Sequence, residues 1–154
     1  MARLLPLSKG CQYAIRTAAF LSMEPWGTVF PRREVSRRTK IPYAFVSKIL
    51  QALTKAGLLH SHRGAQRGYS LARAARQISL LDVVSAYDGP LGHEGCLLDE
   101  YKLCPGERVC AIHHRRMAVQ KKLTQNLSSA SITDLAKTLF TRHGDGPVKL
   151  AERV

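Results

Sequence analysis

Apolar residues recur at helical spacing over residues 7–23, where Cys11, Ala14, Ile15, Ala18 and Leu21, with Ser22, share one face. Ser8 is a candidate N-cap, and Pro25 and Gly27 end the segment. A short helix is predicted over 31–39, with Val35 as its main apolar contact. After Lys40-Ile41-Pro42, a second is predicted over 43–56, with Ile49, Leu50, Leu53 and Ala56 inward and Gly57 as C-cap residue. Two short helices around a tight turn read as a helix-turn-helix, although an ordinary helical hairpin has the same pattern. The next segment separates the two. Residues 58–62 read as a strand, 63–68 as a turn carrying Arg63 and Arg67, and 69–72 as the returning strand. A basic β-hairpin directly after a helix-turn-helix predicts a winged helix.

Beyond the wing, residues 78–87 form a predicted helix with Ser79 as N-cap and Asp82 closing a short capping box. Residues 91–109 follow as a glycine- and proline-bearing loop, long enough to call for a bound cofactor. A long helix is predicted over 110–127. Its apolar stripe of Ile112, Val119, Leu123 and Leu127, completed by Arg116, is narrow and flanked by Arg115, Lys121 and Lys122. Such a seam suits a coiled-coil contact between two copies better than burial in one chain, so a homodimer is expected. A final helix over 131–140, capped by Ser131 or Thr133, precedes an irregular tail over 141–154. The fold class is mainly α with a small β-wing, a winged helix-turn-helix plus a long dimerisation helix. It divides into a DNA-binding region over 1–76, a linker helix, loop and dimer helix over 77–140, and the disordered tail.

Charge sharpens the picture. The chain carries a net +13. Between Arg32 and Arg76 eleven Lys or Arg face one acid, Glu34, whereas between Asp82 and Glu107 six acids face one base, Lys102. The basic block is the electrostatic footprint of a nucleic-acid binder, although a solvated basic face carries the same charge; joined to a winged helix it points to double-stranded DNA. Tyr43, Ser47 and Lys48 are the expected base-reading positions, and Arg63 and Arg67 suit the minor groove or backbone. Arg32, Arg33, Arg37, Arg38 and Lys40 are candidate phosphate contacts. No apolar run spans a membrane and the start lacks a leader, so a cytoplasmic protein is expected. No nucleotide-binding loop, CxxxCxxC motif or Ser/His/Asp arrangement in a fitting context suggests an enzyme.

Three of the four cysteines lie in the acidic loop, at Cys96, Cys104 and Cys110, with seven and then five residues between them. His113 follows Cys110 at helical spacing. Three thiolates and an imidazole suit an iron–sulfur cluster or a Cys₃His zinc site, although zinc sites usually contain a CxxC pair and this loop has none. A disulfide between Cys104 and Cys110 is the cluster-free alternative. Cys11 is expected as a buried free thiol, His114 to face solvent, and Met117 to fill a gap in the packing.

Several segments together carry a family resemblance: SKGCQYAIR, IPYAFVSKILQALTKAGLL, RGAQRGYSLAR, ISLLDVVSAYDGP, the three loop cysteines and SITDLA. In this order and spacing the chain resembles the IscR/NsrR/RirA family of bacterial winged-helix transcription regulators. The resemblance implies a homodimer on a palindromic operator. It also implies a [2Fe–2S] or [4Fe–4S] cluster on Cys96, Cys104 and Cys110, with His113 as fourth ligand in the IscR-like pattern. The NsrR-like alternative, an acid on the first helix of the partner subunit, meets Gln12 here. Lys40 stands where the family carries a turn glycine, and Ser47 where IscR-like members carry glutamate. The expected function is a homodimeric repressor sensing iron, redox state or nitric oxide.

Overall fold

The computed structural model describes residues 7–91 and 111–141. The elements run α1 (Lys9–Leu21), α2 (Arg32–Thr39), α3 (Tyr43–Lys55), β1 (Leu59–His62), β2 (Gly68–Leu71), a 3₁₀ turn (Ala75–Gln77), α4 (Leu80–Asp88), α5 (Ala111–Ser129) and α6 (Ile132–Thr141). The predicted elements match these within a residue or two at most ends. The loop cysteines Cys96, Cys104 and Cys110 and the tail over 142–154 lie outside the described residues.

Helix α1 is the hub, packing on α2, α3, α4 and α6. Its sequence pattern predicts one buried stripe, yet Thr17, Ala19 and Phe20 are buried as well. Alanine-rich helices admit neighbours closely on several sides, so periodicity understates their burial. Gly10 extends this closeness, since a Cβ there would run into the Tyr87 ring of α4. Ser8 caps α1 as expected, its hydroxyl accepting from the Cys11 amide at 3.0 Å.

Helix α3 buries Val46, Ile49, Leu50 and Leu53. Ala56, expected on the inner face, is instead the exposed C-cap residue. The chain leaves the helix there through Gly57, at φ +73°. The Gly57 amide donates to the Thr54 carbonyl and the Leu58 amide to the Leu53 carbonyl, a Schellman closure. It delivers Leu58 into the core and starts β1.

The wing is a two-stranded antiparallel sheet, with Leu59 opposite Leu71 and His62 opposite Gly68. Phe30, just before α2, pairs with Tyr69 through reciprocal backbone hydrogen bonds of 2.9 Å. A Cβ on Gly68 would lie 2.7 Å from the Phe30 carbonyl oxygen, so this approach needs glycine.

Helices α4 and α6 start side by side. Ser79 and Ser131 form an antiparallel bridge, and each closes a Ser-x-x-Asp capping box with Asp82 and Asp134. The Ser131 hydroxyl and amide hold the Asp134 carboxyl below the usual carboxylate range. The bridge drops Ile132 into the core shared by α1 and α3, where it is fully buried.

Candidate nucleic-acid interface

The helix-turn-helix turn is built around Lys40, which takes left-handed backbone angles of φ 56° and ψ 27°. It is the one non-glycine residue at positive φ among the described residues. On one side of it, the Thr39 hydroxyl donates to Val35 O at 2.6 Å, and Arg16 of α1 donates to Thr39 O at 3.0 Å. On the other, Ile41 is buried, and the Ser36 hydroxyl donates to its carbonyl at 2.7 Å. Packing on both sides thus imposes the conformation that a glycine would adopt freely.

The outward face of α3 carries Tyr43 and Lys48, both exposed, with Ser47 half-buried. Gln51, exposed one turn beyond Ser47, joins this face. It is not among the positions expected from the sequence, although i+4 spacing from Ser47 places it there. Phe45 is 40% exposed and meets Tyr13 of α1 edge-on, 5.6 Å between centroids. At the wing tip, Arg63 and Arg67 are exposed on either side of Gly64.

The arginines of α2 divide into two groups. Arg33 and Lys40, like Lys48, Arg63 and Arg67, are exposed and have no hydrogen-bond or ion-pair partner among the described residues. Arg37 is 79% exposed, with only a 3.8 Å contact to Glu34. Arg38 behaves differently. It pairs with Glu24 at 3.2 Å and Glu34 at 3.8 Å, and its guanidinium lies 5.0 Å from the Phe20 ring centroid. Arg38 therefore braces α2 against the end of α1. Nothing in local spacing points to this pairing, because Glu24 is fourteen residues away. Arg32 also turns inward, toward Ser47, Tyr43 and Tyr69.

Of the expected loop ligands, only His113 lies within the described residues. It is half-buried in the first turn of α5, edge-on to the exposed His114 at 6.4 Å. Cys11 is a buried free thiol, as expected. Burial, and then the Asp88 carboxylate beside it, push its pKa up from 9.0 to about 12. That same carboxylate, at the end of α4, accepts from the Ser8 amide at 2.8 Å and from the Ser8 hydroxyl. Met117, expected to fill a gap, is 45% exposed, on the same helix as the exposed Ile112 and Val119.

A two-helix reader with an adjoining basic hairpin matches a known protein family, Rrf2, described as an iron-dependent transcriptional regulator, over residues 7–138. The chain belongs to the Rrf2 family. Among Rrf2 relatives, it is 29% identical over 130 residues to the helix-turn-helix transcriptional regulator IscR of Xenorhabdus nematophila, covering 84% of this chain and 77% of that one. It is 26% identical over 125 residues to a helix-turn-helix transcriptional regulator of Aquifex aeolicus, covering 80% and 86%. The fold is shared with CymR, the global cysteine regulator of B. subtilis, at a TM-score of 0.71 and 18% identity over 88% of this chain and 98% of that one. As an Rrf2 protein the chain is a DNA-binding transcriptional regulator and not an enzyme. No described helix is long and apolar enough to cross a membrane.

Proposed function

We propose that this Rrf2 protein is a homodimeric repressor that reads a palindromic operator and senses iron, redox state or nitric oxide through its acidic loop. The observation that carries the DNA side is the row of exposed cations around one reader, Arg33, Lys40 and Lys48, with Arg63 and Arg67 on the wing, none of them with a partner among the described residues. In this reading Tyr43, Ser47 and Lys48 enter the major groove, and the wing arginines flank it. A two-fold dimer sets its two recognition helices about 34 Å apart, one DNA turn. A small change of tilt between subunits then changes affinity strongly.

The sensing side rests on donor chemistry. Cys96, Cys104 and Cys110 with His113 are a fitting set for a [2Fe–2S] or [4Fe–4S] cluster. When bound, such a cluster supplies a redox-active centre that oxygen, nitric oxide or iron loss can disrupt. The chain's own part is transmission. The Leu91 carbonyl, at the start of the loop, accepts from Gln120 of α5 at 2.9 Å. Three residues earlier, Asp88 holds the N-terminus of α1, and α1 in turn holds the reader turn through Arg16.

Two measurements test the proposal. Arg63→Ala is expected to weaken operator binding by about tenfold, as for loss of one charged contact; unchanged affinity overturns the binding face. Anaerobically purified protein is expected to contain iron and sulfide that Cys104→Ala loses. Colourless protein with one zinc per chain, or metal-free protein regulated by a Cys104–Cys110 disulfide, overturns the cluster.

A further inference from the structure

Arg32 is the first residue of α2, and its basic side chain invites assignment as a phosphate contact. The geometry points to a different role: we infer that Arg32 is a positioning residue for DNA sequence choice, locking the recognition helix to the wing. The inference rests on the DNA-reading face proposed above.

Four observations support it. Arg32 Nη1 donates to Ser47 Oγ at 3.4 Å. Its guanidinium carbon lies 6.0 Å from the Tyr43 ring centroid, at the start of α3, and 5.9 Å from that of Tyr69, on β2. One side chain of α2 therefore touches both DNA-reading elements. The backbone beside it is held too, since Phe30, two residues earlier, exchanges hydrogen bonds with Tyr69. Finally, the Ser47 hydroxyl donates to the Tyr43 carbonyl at 3.0 Å, so accepting from Arg32 completes a fixed orientation.

The chemistry suits a planar cation. A guanidinium offers flat faces to aromatic rings and in-plane donors to a hydroxyl at once. An ammonium is a compact point charge with no flat face, so it does not reproduce stacking against two rings together with an in-plane hydrogen bond. Without Arg32, Tyr43 and Ser47 gain rotamer freedom, and the wing loses a direct side-chain link to the recognition helix. Base readout suffers, whereas the number of phosphates neutralised stays the same. A phosphate contact would behave in the opposite way, because phosphate contacts set salt dependence and carry no sequence information.

The test uses the full-length protein and a duplex selected by the wild type from random sequences. Affinity for that duplex and for a scrambled duplex is measured across a salt series. Arg32→Ala and Arg32→Lys are each expected to reduce discrimination between the two duplexes roughly tenfold, with the salt slope unchanged. Arg63→Ala is expected to weaken both duplexes alike and to reduce the slope by about one. Combining Arg32→Ala with Ser47→Ala is expected to cost no more discrimination than the larger single change. Three results overturn the assignment while leaving the DNA face standing: Arg32→Lys with wild-type discrimination, Arg32→Ala with a reduced slope and intact discrimination, or additive Arg32 and Ser47 effects. A wild type that prefers no duplex overturns the DNA reading and this assignment together. Arg32→Lys retains the charge and helix propensity of the site, so its result does not depend on a disrupted fold.

Discussion

Lys40 combines two opposing demands on one residue. Its left-handed backbone costs about 1 kcal/mol relative to glycine, while its exposed ammonium extends the basic face. Lys40→Gly is therefore expected to raise the melting temperature by roughly 4 °C and to weaken DNA binding. Thermal melting and a salt-controlled binding assay check the two halves, and a fall in both stability and affinity would contradict the strain argument. Cys11 makes a different prediction. Its pKa is raised in the fold, so its contribution to stability is fully present below its ordinary pKa of 9.0 and is lost as pH rises toward about 12. The stability difference between wild type and Cys11→Ala is expected to shrink over that window in denaturant titrations at stepped pH. A thiol held neutral in this way should also resist alkylation in the native protein at neutral pH.

Among the elements, the wing and α1 both depend on close approach, but they tolerate intrusion differently. A methyl group at Gly68 meets the Phe30 backbone, which cannot move without breaking the Phe30–Tyr69 pair. A methyl at Gly10 meets only the outer end of the Tyr87 ring, which can swing. Gly68→Ala is accordingly expected to destabilise by about 1–3 kcal/mol and Gly10→Ala by less, as read by urea unfolding. Equal losses would show that the two contacts are similarly rigid. The helix ends were the most legible features at this level. Ser8, the Ser79/Asp82 box and the Gly57 cap all rest on interactions within a few residues, and each formed as its motif predicts.

In the molecule as a whole, charge and apolar exposure set the expected behaviour. With Arg33, Lys40, Lys48, Arg63 and Arg67 exposed and unpaired among the described residues, operator affinity in the proposed dimer should fall about a thousandfold between 50 and 200 mM salt. A shallow dependence would mean that few of them reach phosphate. Helix α5 packs on α4, yet Val119 stays 67% exposed and Ile112 43% exposed. If a second copy covers this stripe, Val119→Glu buries a charge at the contact and is expected to shift sedimentation from dimer to monomer. An unchanged dimer would place the contact elsewhere.

Local rules governed what could be read in advance. Helix periodicity, caps, the turn, the hairpin and the basic block each depend on neighbours along the chain, so the winged helix is legible in the sequence, and the residues proposed to face DNA follow from it. The fates of individual arginines were not. Arg38 joins Glu24 and two phenylalanines, and Arg32 joins Ser47 and two tyrosines, through contacts that only folding brings together. The burial of Thr17, Ala19 and Phe20 on α1 and the place of Ile132 in the shared core have the same origin. Spacing along a chain fixes which face a residue lies on, but not which distant segment will come to cover it.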